Sequence, residues 1–305
     1  MIDPHADAVV DDSGAGQTSR AAIRVPASRG ENVWRRRGVW MQPGMALAAW
    51  RDCHSLRSLA DRNHPMDLAQ APNPADDPLL PPSPLVVISP HLDDAVLSCA
   101  GLLAARPGST VVTVFTARAP AQHPLTDWDR RCGFDSAEAA MTCRLAEDRE
   151  ALGIVGAVGR ELGFLDCQYT ATADQDGPQI TERLFHLLAS LAPASVAMPL
   201  GVFHCDHERV SDAALMIRDA LLGVAWFGYE DVPHCERPGV VQARLAQLLA
   251  RGVTATPVRL AVNAADKARA IQAYASQLKG LESTALGLAV HETYWRLTDS
   301  ATDVG

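Results

Sequence analysis

From Leu85 onward the chain changes its apolar rhythm repeatedly. Short, nearly unbroken apolar runs predict buried strands over 85–89, 110–116, 161–165, 195–199, 224–230 and 256–261. Between them apolar residues recur at helical spacing, predicting helices over 94–105, 136–152, 179–191, 208–222, 240–251 and 264–278. Strands and helices in alternation predict an α/β fold, a Rossmann-like, mainly parallel sheet with helices on both faces. Such sheets bind ligands at the C-terminal ends of their strands. The strand exits are therefore where chemistry is expected.

Residues 1–84 follow no such rhythm. Small and polar residues dominate the start, Arg35, Arg36 and Arg37 form a basic run, and Pro72, Pro74, Pro78, Pro81, Pro82 and Pro84 punctuate the approach to the first strand. This stretch reads as an irregular N-terminal extension with one short helix near 45–57, ahead of a single domain over 85–305. Residues 118–135 read as a long loop, a length often given over to lids.

Composition narrows the function. The 305 residues are 48% hydrophobic, enough for one large core. A formal net charge of −9 argues against nucleic acid as a partner, which calls for a basic stripe. No apolar run approaches the roughly 18–20 residues that span a bilayer. The acidic start, with Asp3, Asp7, Asp11 and Asp12, lacks a secretory pattern, so the expected compartment is the cytoplasm. Seven cysteines, an odd number without C-x-x-C spacing, argue against a disulfide framework or a zinc knuckle. Cys205 is expected to pack inward.

Two strand exits carry the chemistry. The first strand runs into Ser89-Pro90 and then His91, Leu92, Asp93 and Asp94 at the mouth of a helix. His91 and Asp94, at i and i+3, can share one face. Taken alone, this motif is equally well explained by an aspartate capping the helix. The strand over 195–199 leads to His204-Cys205-Asp206-His207, again at a helix start. Histidine at both His204 and His207 is hard to explain as capping. Two histidines and a carboxylate, with one position open for water, make a catalytic zinc set, and Fe2+ is also compatible.

At these residues the chain resembles the PIG-L/LmbE-like zinc de-N-acetylases, which carry an H-P-D-D-E motif after the first strand and an H-x-x-H motif later. Here the motifs stand as Pro90-His91-Leu92-Asp93-Asp94-Ala95 and His204-Cys205-Asp206-His207. Supporting pieces are Arg144, Glu147 and Glu150 on one helix, Gly163-Phe164-Leu165-Asp166, Tyr229-Glu230-Asp231-Val232-Pro233, and 267–277. The resemblance implies that His91, Asp94 and His207 bind zinc and that Asp93 is the general base. It implies that His204 stabilises the oxyanion or protonates the leaving amine, and that Asp206 orients a histidine. Leu92 and Ala95 depart from the motif without removing a donor, and Val202 stands where some members place a tyrosine.

The implied reaction is zinc-dependent hydrolysis of an amide on an N-acyl amino sugar or glycosylated small molecule, in secondary metabolism. A catalytically silent sugar-binding protein and an esterase-type metallohydrolase are the alternatives on the same fold. Arg118 and Trp128 are candidate substrate contacts, and His291, Glu292 and Trp295 are candidates to close the pocket. The absence of G-x-S-x-G and of G-x-G-x-x-G after the first strand argues against a serine hydrolase and a dinucleotide-binding domain.

Overall fold

The computed structural model describes residues 80–120, 122–170, 176–259, 264–289 and 292–300. The helix expected near 45–57 and the candidate His291 lie outside the described residues. The strands are β1 (Leu85–Ser89), β2 (Thr110–Thr113), β3 (Val158–Glu161), β4 (Ser195–Pro199), β5 (Ala225–Tyr229), β6 (Val253–Arg259) and β7 (Thr293–Asp299). They form one sheet in the order β3-β2-β1-β4-β5-β7-β6. Pairings from β3 through β5 are parallel, whereas β7 pairs antiparallel with both β5 and β6.

The helices are α1 (Asp94–Ala105), α2 (Asp127–Cys132), α3 (Ala137–Ile154), α4 (Gly177–Leu191), α5 (Cys205–Ala220), α6 (Val240–Ala250), α7 (Ala264–Ile271), α8 (Ala275–Gly280) and α9 (Ala285–Leu288). Strand alternation divides the core in two. Leu85 and Val87 face a cluster built with α1, α3, α7 and α9, while Val86 and Ile88 face one built with α4, α5 and α6. Because β1 is covered on both faces, it reads as a continuous apolar run rather than an alternating one. Each fully buried Val or Ile there contributes about 1.5–3 kcal/mol.

Three expectations need correction. The third strand lies over Val158–Glu161, ahead of the apolar run at 161–165. It is an exposed edge strand, so pairing rather than burial defines it. The apolar residues after it continue irregularly along β2, through Leu162 N–H to Thr113 O and Phe164 N–H to Val114 O. The helix expected over 264–278 is two helices, broken between Ile271 and Ala275. The long loop contains α2, which Thr126 starts by accepting the Asp129 N–H and Gly133 ends in a left-handed conformation. In addition, β7 appears where no strand was expected.

Pro81, Pro82 and Pro84 belong structurally with the sheet domain. Their carbonyls accept hydrogen bonds from Arg106 Nε, Ser195 Oγ and Ala194 N.

The position of the site is set by the strand order. From β1 the chain turns into α1 on one face, and from β4 into α5 on the other. A crevice therefore opens where β1 and β4 lie side by side, the switch point of an open parallel sheet.

Candidate metal centre and cleft

His91 lies in the turn leaving β1, and its backbone N–H donates to Asp94 Oδ2 at 2.8 Å. The same oxygen stands 3.1 Å from His91 Nδ1 and 3.2 Å from His207 Nε2. His207 comes from the first turn of α5, behind Gly201. Gly201 has φ of 78°, and a Cβ there would lie 2.5 Å from Ser211 Cβ and 2.8 Å from the His207 carbonyl oxygen. Only glycine lets the exit of β4 pass so close beneath α5.

Each histidine is oriented from behind by a carboxylate. His91 Nε2 meets Asp206 Oδ2 at 3.0 Å, and His207 Nδ1 meets Asp231 Oδ1 at 2.7 Å. This leaves one nitrogen on each ring aimed at Asp94. His91, Asp94 and His207 offer donor atoms within 4.8 Å of one another, and all three are buried. Histidines backed by carboxylates and converging with a third carboxylate are the arrangement of metal ligands. The electrostatics agree. Burial opposes charge on His207, but Asp94 and Asp231 outweigh it and push the imidazole up to about 9. Burial likewise opposes charge on Asp94, but His207 and His91 hold its carboxyl well below the usual carboxylate range. The pocket favours positive charge between its imidazoles, a need that a divalent cation meets, so the residues present fit a metal ion.

Asp93 is buried beside this set, and its side chain makes no cap hydrogen bond to α1. Burial first, and then the neighbouring Asp94 charge, push it up to about 7. At α1 a first-turn N–H, that of Ala95, goes instead to Ser89 Oγ at 3.0 Å. His204 is the N-cap of α5, its Nδ1 accepting the Asp206 N–H at 3.2 Å. Histidine at both positions is hard to explain as capping, yet one of the two, His204, does cap, because an imidazole nitrogen can serve as the acceptor. Its ring lies edge-on to His91 and His207, with centroids 5.2 and 5.3 Å away. Burial, followed by the charges of His91 and His207, lowers His204 to about 4. Phe203, immediately before it, is non-glycine at φ of 69°, an uncommon conformation that fixes the approach to the cap.

These residues line a cleft of about 330 Å³, whose walls include Leu97, Trp128, Arg131, Arg144, Gln168 and Leu281. Trp128 is held by its indole N–H to Gln277 Oε1 at 3.1 Å and by Arg131 over its ring. Arg144 is buried in the cleft, 3.8 Å from Asp166, and its Nε has no hydrogen-bond partner among the described residues. Arg118 is exposed and absent from the lining, a correction to its expected place. The backbone just before it is tied down through Ala117 N–H to Phe164 O, which leaves the side chain outside. Glu292 and Trp295 do not close the cleft: Glu292 is buried against Lys267, and Trp295 donates to Glu230. Cys205 is exposed rather than packed inward.

Two residues of the site escaped the sequence reading. His234 comes one position after the quoted motif, lines the cleft and stacks on His204 at 27° and 5.7 Å. Its position just past the exit of β5, the strand beside β4, was the available signal. Asp166 lies within a quoted motif, yet its place 3.8 Å from His91 Nε2 could not be read from spacing.

Comparisons with known proteins give the family of this chain. The family described as PIG-L, GlcNAc-PI de-N-acetylase, matches residues 86–217. The 2'-N-acetylparomamine deacetylase of Streptomyces fradiae is 30% identical over 63% of this chain and 72% of its own. A deacetylase of the teicoplanin biosynthetic pathway superposes with a TM-score of 0.63 at 25% identity, over 72% of this chain and 99% of its own. An antimicrobial pseudoaglycone deacetylase gives a TM-score of 0.58 at 28% identity, over 72% of this chain and 98% of its own. A PIG-L motif pair, on this fold and at the two strand exits that flank one crevice, makes the chain a member of the PIG-L family of de-N-acetylases, enzymes that hydrolyse N-acetyl amides.

Proposed function

We propose that this enzyme removes the N-acyl group, in the first place acetyl, from an amino sugar carried on a small glycosylated metabolite, with one zinc ion held by His91, Asp94 and His207. The observation that carries the reading is the convergence of His91 Nδ1 and His207 Nε2 on a single Asp94 oxygen, with Asp93 beside them in the same cleft. The similarity to a 2'-N-acetylparomamine deacetylase and to a deacetylase of the teicoplanin biosynthetic pathway supports the substrate class.

A bound divalent ion supplies Lewis acidity and makes water a competent nucleophile near neutral pH. Asp93 is not needed as a ligand, so its carboxylate accepts the proton of the attacking water. His204 lines the same cleft as Asp93 and rests neutral; on receiving the proton that Asp93 takes from water it stabilises the oxyanion of the amide carbonyl and passes that proton to the departing amine. His234, stacked on His204, holds that ring in place. Trp128 and Leu281 offer an apolar wall for a sugar face, and Arg131, Arg144 and Gln168 offer donors for its hydroxyls. Fe2+ fits the same donor set, and metal analysis of the purified protein decides between the two.

The test is amine release from a panel of N-acetylated aminoglycoside precursors and N-acyl glucosamine conjugates, before and after chelation and zinc return. Turnover should vanish with the metal and return with zinc. Asp93→Asn should keep its metal and lose about 10²–10⁴-fold in kcat. Near-normal turnover by that variant would remove Asp93 from its role. A fully metallated protein inert on the whole panel would favour a silent binding protein.

A further inference from the structure

At the rim of the same cleft are two cysteines that the deacetylation chemistry does not use. Cys205, the first residue of α5, and Cys167, which opens the short 3-10 turn Cys167–Tyr169, bring their sulfurs to 3.3 Å. Both are free thiols. His204 completes the group: one atom from each of Cys167, His204 and Cys205 lies within 4.8 Å of the others. We propose that Cys167, Cys205 and His204 form a second metal site, for a soft divalent cation such as Zn2+ or Cd2+, and that filling it inhibits the enzyme.

The geometry favours a metal over a sulfur–sulfur bond. A disulfide requires about 2.05 Å between sulfurs. Two thiolates on a tetrahedral zinc, with Zn–S near 2.3 Å, stand roughly 3.8 Å apart. The observed 3.3 Å is a thiol–thiol hydrogen bond, well beyond a covalent bond and about 0.5 Å inside that edge, so a small outward shift of either side chain admits the ion. Two thiolates and an imidazole leave a fourth position for water. Uptake of one cation releases the two thiol protons, so the charge brought in by the metal is balanced by the thiolates formed.

The two centres differ in character. The deeper one presents a carboxylate with its imidazoles, whereas the rim presents two sulfurs, the donors preferred by softer ions. They are joined at one atom, since Asp206 Oδ2 meets both His91 Nε2 and the Cys167 N–H, the latter at 3.2 Å. Inhibition rests on the role of His204 proposed above. A cation at the rim engages the His204 ring where it lines the cleft beside the deeper site, and so takes that side chain out of the reaction while leaving the first site filled. The binding itself does not depend on that role.

The full chain carrying one equivalent of zinc would be titrated with Cd2+, with uptake monitored by thiolate-to-cadmium absorption and by turnover. Wild-type protein should take up one further equivalent with that absorption, and its turnover should fall about tenfold or more, as loss of a general acid would produce. Cys205→Ser and Cys167→Ser should keep their zinc and lose the absorption, and Cys205→Ser should resist Cd2+ to within about twofold. Absorption that persists in both variants, or cadmium uptake without it, would overturn the site. So would consumption of both thiols by a disulfide in place of metal uptake. Thiolate-dependent uptake with undiminished turnover would keep the site but overturn the inhibition, and with it the assignment of His204. If no substrate is turned over at all, the absorption still decides whether the site binds.

Discussion

Asp231 shows how much one residue outside the two histidine motifs can contribute. One of its oxygens meets His207 Nδ1 at 2.7 Å, and the other accepts the Gly201 N–H at 3.0 Å. It therefore fixes both the imidazole and the turn that carries the chain past it. Asp231→Asn cannot accept at both positions and no longer supplies charge behind the ring. Metal affinity should fall by about 10–100-fold, read by competition with a calibrated chelator. Affinity equal to wild type would mean that the turn at Gly201 alone positions His207. At this scale the donor types were legible, because His91, Asp94 and His207 stand in local motifs. The partners Asp206 and Asp231 are not local to the rings they hold, and no spacing along the chain reveals which carboxylate meets which nitrogen.

Among the elements, α1 is the one under most demand. It begins at the metal motif and is kinked at Cys99, where φ is −136°. Past the kink, the N–H groups of Gly101 and Leu102 donate to the two oxygens of Glu292, at 2.9 and 3.3 Å. Lys267 Nζ on α7 meets the same carboxylate at 3.2 Å, with both side chains fully buried. The residue just before β7 thus closes the hydrogen bonds of a helix formed much earlier in the chain. Lys267→Met should leave Glu292 charged and buried without its cation, lowering stability by about 3–5 kcal/mol in urea unfolding. A change under about 1 kcal/mol would show that the helix N–H groups and the Tyr294 hydroxyl suffice for the carboxylate. Periodicity located α4 and α5 to within a few residues because each buries one continuous face, and α1, buried on all sides over 94–100, was marked by its apolar run after the strand exit. It misplaced β3, whose residues are exposed, and missed β7, whose pairing partners are remote in sequence.

At the scale of the molecule, the candidate ligands come from two strand exits whose helices lie on opposite faces of the sheet. A cation there ties β1–α1 to β4–α5 and should stabilise the fold through mass action. Chelation should lower the thermal midpoint by about 5–15 °C, taking roughly 3–4 kcal/mol of binding linkage over a domain of this size. The chelated protein and His91→Ala should then melt together, and His91→Ala should not respond to added zinc. A midpoint indifferent to chelation would mean that the two exits are held in place without the ion. Among the described residues no helix is long and apolar enough to cross a membrane.

Read in order, the residues were enough for the α/β class, the two strand exits, and the imidazoles and carboxylates waiting there. Each of these is written in local patterns: unbroken apolar runs for buried strands, helical spacing for covered helices, donor residues clustered just beyond. What they left open was adjacency. Only the sheet order sets β1 beside β4, and only the packed structure brings His234 onto His204, Cys167 against Cys205, and Arg118 out of the cleft. Those contacts join segments far apart along the chain. Their geometry depends on how the two covered faces pack, which no window along the sequence records.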